Sequence, residues 1–142
     1  MEDKQLKDKA VDIKGKSYVQ VSDRVLYFNE TYPKGSIITE LLSTPEAIRV
    51  VVKAIVRPDC ETEDRFFTGM AQEVVGEGFI NKTSALENCE TSAVGRALAM
   101  MGIGVIESIA SVDEINKAKT SPQNYPPEPS EVKNVKSKDC PF

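Results

Sequence analysis

A chain of 142 residues with 40% hydrophobic content and no Trp is long enough for one domain closing one core, and it leaves little for a second. Its net charge of −4 and pI near 5.0 exclude a globally basic, histone-like nucleic-acid binder, although a local basic groove stays open. Cys60, Cys89 and Cys140 are odd in number and widely spaced, with no His to complete a zinc set, and no apolar signal core or long apolar run occurs, so the chain reads as free of disulfides, metal and membrane spans, soluble and cytoplasmic.

Residues 1–10 are mixed in charge and read as loosely held. From Ile13 to Val21, Lys14, Gly15 and Lys16 precede Tyr18, Val19 and Val21, a pattern for a short strand or for a turn followed by a strand. Ser22 can cap a helix over Asp23–Thr31, because Val25, Leu26, Phe28 and Tyr32 recur at helical spacing before Pro33 and Gly35 end it. Ser36–Leu42 reads as a strand closed by the turn residues Ser43, Thr44 and Pro45.

The strongest strand signal is Ile48–Arg57. Side chains alternate across a strand, so Ile48, Val50, Val52, Ala54 and Val56 form one apolar face, while Arg49, Val51, Lys53, Ile55 and Arg57 form another carrying three cations. Pro58–Asp64 is an acidic loop, and Arg65–Val75 returns as the partner of an antiparallel hairpin. Gly76 and Gly78 then break the strand. Their G-x-G lacks the spacing of a dinucleotide fingerprint and reads as a turn.

The stretch Lys82–Ile109 organises the rest. Ser84 with Glu87 spells a capping box, and Leu86, Cys89, Ala93, Val94, Ala97, Leu98 and Met101 recur at spacings of three and four until Gly102 supplies a left-handed stop. Ser111 with Glu114 spells a second box, for a short helix to about Lys119. From Thr120 onward Pro122, Pro126, Pro127 and Pro129 alternate with polar residues, the composition of a disordered tail. The reading is an α+β domain at 1–119, in which a small antiparallel sheet packs on one long helix, followed by a tail at 120–142.

The residues for catalysis are sparse. No His can act as a base, no nucleophile elbow or P-loop occurs, and Glu61, Glu63 and Asp64 fall in the surface loop, so the chain reads as a non-enzyme without cofactor or metal. Cys89 lies on the apolar stripe, where a free Cys is ordinarily core filler.

Three short motifs carry a family resemblance: G-x-A-x-E (Gly69, Ala71, Glu73), K-x-S-x-L-E (Lys82, Ser84, Leu86, Glu87) and R-A-L-x-x-x-G (Arg96, Ala97, Leu98, Gly102). Over roughly Val21–Ile109 the chain resembles the annealing domain of Rad-fifty-two type recombinases and the Erf-like annealing proteins of phages. That resemblance implies a protein that binds single-stranded DNA and anneals complementary strands without ATP, as a ring or filament of subunits lining a basic groove. Carried over to this sequence, it implies Arg96 and Lys82 as DNA contacts. Where the family commonly shows further basic residues the chain has Gly95 and Ala99, so charge pattern alone nominates Arg49, Lys53 and Arg57, with Lys14 and Lys16, as substitutes. A phage or prophage origin would place the protein in the host cytoplasm, acting in recombination, repair or replication.

Two alternatives stay open: a single-stranded DNA-binding protein that coats without annealing, and an oligomeric interaction or host-targeting module that binds no DNA. For base stacking, Phe79 and Tyr18 are the aromatics least committed to a core. The ending Asp139, Cys140, Pro141, Phe142 resembles the tip of bacterial single-stranded DNA-binding proteins, which implies docking into host recombination or replication proteins. Lys133, Lys136 and Lys138 make this tip less acidic than that pattern.

Overall fold

The computed structural model describes residues 3–62, 64–76 and 84–120. In chain order the described elements are α1 (Asp3–Asp8), β1 (Val11–Ile13), β2 (Lys16–Tyr18), α2 (Val21–Thr31), β3 (Ser36–Leu41), β4 (Arg49–Arg57), β5 (Phe67–Val74), α3 (Ala85–Met100) and α4 (Val112–Thr120). The α+β class expected from the sequence is the class observed. Phe79, Lys82, the glutamate at 63 and the Pro-Phe tip lie outside the described residues, as does the tail.

β4 is the centre of an antiparallel sheet in the order β3-β4-β5. Its run of β-branched residues suits a pleated surface, because their stiff side chains pack well on it. The expected alternation is realised from Val50 onward, where Val50, Val52, Ala54 and Val56 are buried and the residues between them partly open, while Ile48, expected on the same face, precedes the strand and is 74% exposed. Register extends both faces across the sheet. Ala54 lies opposite Thr39 and Gly69 on the buried side, while Lys53 lies opposite Glu40 and Met70 on the other.

α3 crosses the buried face at close range because small residues meet there. A Cβ on Gly69 would fall far inside van der Waals contact of the Ala93 carbonyl oxygen and the Ala97 nitrogen. Cys89, Ala93, Ala97 and Leu98 are buried as the stripe predicts. Leu86 is not, being 48% exposed, and Ser92, Gly95 and Ala99 are buried instead. Part of the reason is that α3 is covered on a second flank by α2, where a Cβ on Gly95 would lie 2.6 Å from Val21 Cγ2.

The two predicted capping boxes diverge. At α4 the box closes reciprocally: the Ser111 N–H donates to Glu114 Oε2 at 3.0 Å and the Glu114 N–H to Ser111 Oγ at 3.3 Å. At α3 the N-cap Ser84 makes no side-chain capping hydrogen bond, its backbone sitting at φ −137°, ψ 33°. That ψ is far from the extended conformation in which an N-cap side chain reaches the first-turn amides. The C-terminus of α3 does follow expectation. Gly102 (φ +95°) donates to Ala99 O at 2.8 Å and Ile103 to Leu98 O at 3.1 Å, a Schellman motif.

α2 starts earlier than the Ser22 cap predicts. It runs from Val21, and Asp113 Oδ2 of α4 accepts the Val21 N–H at 3.1 Å, so its orphan donor is satisfied from across the fold rather than locally. The N-terminal residues also need correction, since Leu6 on α1 is fully buried in the core. Between them, β1 and β2 form a hairpin around Lys14 (φ +53°) and Gly15 (φ +82°), the left-handed pair that a two-residue type I′ turn requires.

Candidate nucleic-acid interface

Because α3 occupies the Val50–Val56 face of the sheet, the alternate residues of β4 look away from it. Arg49, Lys53 and Arg57 therefore form a row on the open face, four residues apart, or roughly 13 Å per step at strand rise. None of the three makes an ion pair with a described residue. Around them the open face is mixed: Ile38, Met70 and Phe66 are exposed, and Glu40 in register with Lys53 is a carboxylate on this face. The Arg57 guanidinium lies 5.8 Å from the Phe66 ring centroid, and that of Arg65 lies 4.8 Å from the Phe67 ring. At both sites a cation sits within the range where an aromatic quadrupole attracts it.

Arg96 is in the helix layer, on the other side of the sheet from that row. Its Nη1 meets Glu114 Oε1 at 3.4 Å, and together with Met70, Glu73 and Lys117 it lines a groove of about 290 Å³ beside β5. Lys117 is held there by Glu73 Oε1 at 2.9 Å, the Asn88 carbonyl at 2.8 Å and Ser92 Oγ at 2.5 Å. These contacts fasten α4 to α3 and β5. Within one protomer Arg49, Lys53 and Arg57 thus share one sheet face and Arg96 lies in the other layer, with Met70 of the edge strand β5 lining the Arg96 groove from its place opposite Lys53. Lys14 and Lys16 sit exposed on the β1–β2 hairpin, whose Ser17 N–H donates to Glu107 Oε2 at 3.1 Å.

Arg24 is a structural residue that no motif or spacing in the chain marks. This residue of α2 is fully buried, and its guanidinium donates to four carbonyls: Gly95 at 2.9 Å, Ile109 at 3.1 Å, and Gly104 and Ala110 at 3.3 Å each. Burial lowers its pKa from the ordinary value, while the carboxylates of Glu114 and then Asp113 oppose that shift. Arginine resists deprotonation, so the group stays a cation and pins the segment after α3 to α2. A lone Arg on an amphipathic helix carries no local mark of burial.

Two other features resolve as structure. In the acidic loop, Asp59 accepts from the Thr62 hydroxyl at 2.6 Å and the Glu61 N–H at 2.9 Å, contacts that hold its carboxyl below the usual range, and Glu61 pairs with Lys34 at 2.8 Å. The Cys89 thiol donates to the carbonyls of Ala71 and Val50 at 3.3 and 3.5 Å, and burial pushes its pKa up. Thiolate is the reactive form. In the native protein Cys60, which is exposed, should therefore be alkylated by iodoacetamide at neutral pH while Cys89 becomes reactive only after denaturation; peptide mass mapping would reverse that assignment if Cys89 were modified first.

Among the described residues no group of three or more acidic, Cys or His side chains is placed to hold a metal ion, and no helix is long and apolar enough to cross a membrane. What remains is a two-layer α+β domain with one cationic, partly aromatic sheet face. The chain belongs to the Slr1353 N-terminal dsRNA-binding domain-like family, whose match covers residues 25–101, more than half of the 142. That span holds most of α2, all of β3, β4 and β5, and α3. No curated protein and no solved structure matches the chain.

Proposed function

We propose that the protein binds nucleic acid on the open face of its sheet, that its substrate is single-stranded DNA, and that an oligomer of it promotes ATP-independent annealing of complementary strands. Membership of a family described as dsRNA-binding domain-like supports nucleic-acid binding in general. The observation that carries the site is the row Arg49, Lys53 and Arg57 on the face that no described element covers. Cations in line can neutralise successive phosphates of a strand, and exposed Ile38, Met70 and Phe66 offer apolar surface to bases, which a duplex keeps stacked inside. A few cations per subunit give weak, salt-sensitive binding, and several subunits on one strand multiply it. A net acidic monomer can work this way.

The family description itself favours a second reading, recognition of duplex RNA by shape and backbone contacts. Titrating labelled single-stranded DNA, duplex DNA and duplex RNA at two salt concentrations separates the two, with oligomer mass and annealing of complementary oligonucleotides measured alongside. Tighter binding of duplex RNA would replace the first reading by the second. For the site, Lys53→Glu is expected to weaken single-strand binding about tenfold and to reduce the log-log salt slope by about one unit. Its stability should fall by no more than about 1 kcal/mol, the cost of a second carboxylate directly opposite Glu40. Unchanged binding by Lys53→Glu would remove the sheet face from the interface and return attention to Arg96.

A further inference from the structure

The aromatic residues divide sharply by burial. Tyr18 and Phe28 are buried, Tyr27 and Tyr32 pack partly against the core, and the Phe28 and Tyr32 rings stack with centroids 5.3 Å apart. Tyr18, one of the two aromatics that the sequence leaves uncommitted, is thereby committed to the core. Among the described residues Phe66 is the aromatic left open, at 54% exposure.

Its position follows from where β5 begins. Phe67 opens β5 opposite Val56 on the helix-covered face, and Phe66, just before the strand, lies under the Arg57 guanidinium, which stands 5.8 Å from its ring centroid. Arg57 is also the last cation of the row that begins at Arg49. A solitary exposed apolar side chain is ordinary on a protein surface and needs no function. Here the exposed ring is paired with a cation at the end of a cationic line. An exposed ring with a phosphate-seeking guanidinium over it matches the two chemical features of a nucleotide.

From this we infer that Phe66 is a stacking platform for an unpaired nucleobase, with Arg57 taking the adjoining phosphate. The inference rests on the nucleic-acid reading above and adds to it a base contact, since the cationic row alone reads only backbone. Stacking engages the face of a base and leaves its hydrogen-bonding edge free, so a strand held in this way can still pair with its complement. A base inside a duplex presents no such face. The platform therefore selects single strands over duplexes without selecting sequence.

The chain contains no Trp, which makes Phe66→Trp a single-tryptophan reporter in the 142-residue protein. Adding an unlabelled single-stranded oligonucleotide should quench its emission, whereas an abasic oligonucleotide of equal length should bind without that quenching. Phe66→Ala should bind single-stranded DNA about tenfold more weakly, with the salt slope of the wild type retained because no phosphate contact is lost. Its melting temperature should stay close to wild type, as expected for an exposed ring. Wild-type affinity in Phe66→Ala, or equal quenching by the abasic strand, would overturn the platform while leaving the cationic row standing. Failure of the wild type to bind any single strand would instead overturn the reading beneath it.

Discussion

Arg24→Met is expected to lower the stability of the domain by about 4 kcal/mol, from four carbonyl acceptors losing their donors at about 1 kcal/mol each. Small domains have roughly 5–15 kcal/mol in all, so much of the population would unfold under mild denaturant. Methionine replaces the stem only to about the Nε position and leaves the buried space of the guanidinium empty, so a packing loss adds to the polar one and the figure is a lower bound. Arg24→Lys should recover only part of it, because one ammonium with three donors cannot span four carbonyls set around a planar fork. Urea unfolding followed by circular dichroism gives the numbers. A change below about 1 kcal/mol for Arg24→Met would mean that the segment after α3 swings out and rehydrates its carbonyls, and that the arginine is not what holds it.

The second large effect is expected at Gly69. In a strand interior glycine is ordinarily worse than alanine by roughly 0.5–1 kcal/mol, so Gly→Ala there should stabilise. At this position the added methyl would meet the backbone of α3 at Ala93 and Ala97, and a backbone cannot rotate aside as a side chain can. Gly69→Ala should therefore destabilise by about 2–3 kcal/mol as α3 is levered off the sheet. Thermal unfolding reads the sign directly. A raised melting temperature would show that the helix rides further from β5 than the geometry here.

Both predictions bear on what could be read from the chain beforehand. The faces of β4, the Schellman stop at Gly102 and the box at Ser111 were legible because each is fixed by residues within a few positions of one another. Ser84–Glu87 is spelled like Ser111–Glu114, yet only the latter closes. The spelling does not encode the backbone angle at the cap, which the approach of the preceding chain decides. Leu6 and Arg24 were illegible for a related reason. Each looks like a solvated position locally, and its burial is created by partners elsewhere in the fold.

Gly69 and Ala97, which belong to the motifs that resemble annealing proteins, form the contact that seats the helix on the sheet. Packing alone can therefore select them. The separation of Arg96 from the strand cations was implicit in the alternation, since an apolar face that accepts a helix obliges the opposite face to point away from it. Which aromatic stays exposed was not implicit. It depends on where β5 begins, with Phe67 in the strand and Phe66 just before it.

The buried arginine also orders events during synthesis. Arg24 leaves the ribosome early, but its acceptors lie 71 to 86 residues further along the chain, the last being Ala110. Until that residue emerges, the guanidinium must stay in water, and α2 cannot settle into its final place. The nascent domain is thus held back from piecewise folding until nearly all of it is available. Trimming has the same consequence. A fragment cut to the family-matched residues 25–101 discards Arg24 together with three of its four acceptors, Gly104, Ile109 and Ala110, so the recognisable part of the sequence is smaller than the unit that folds.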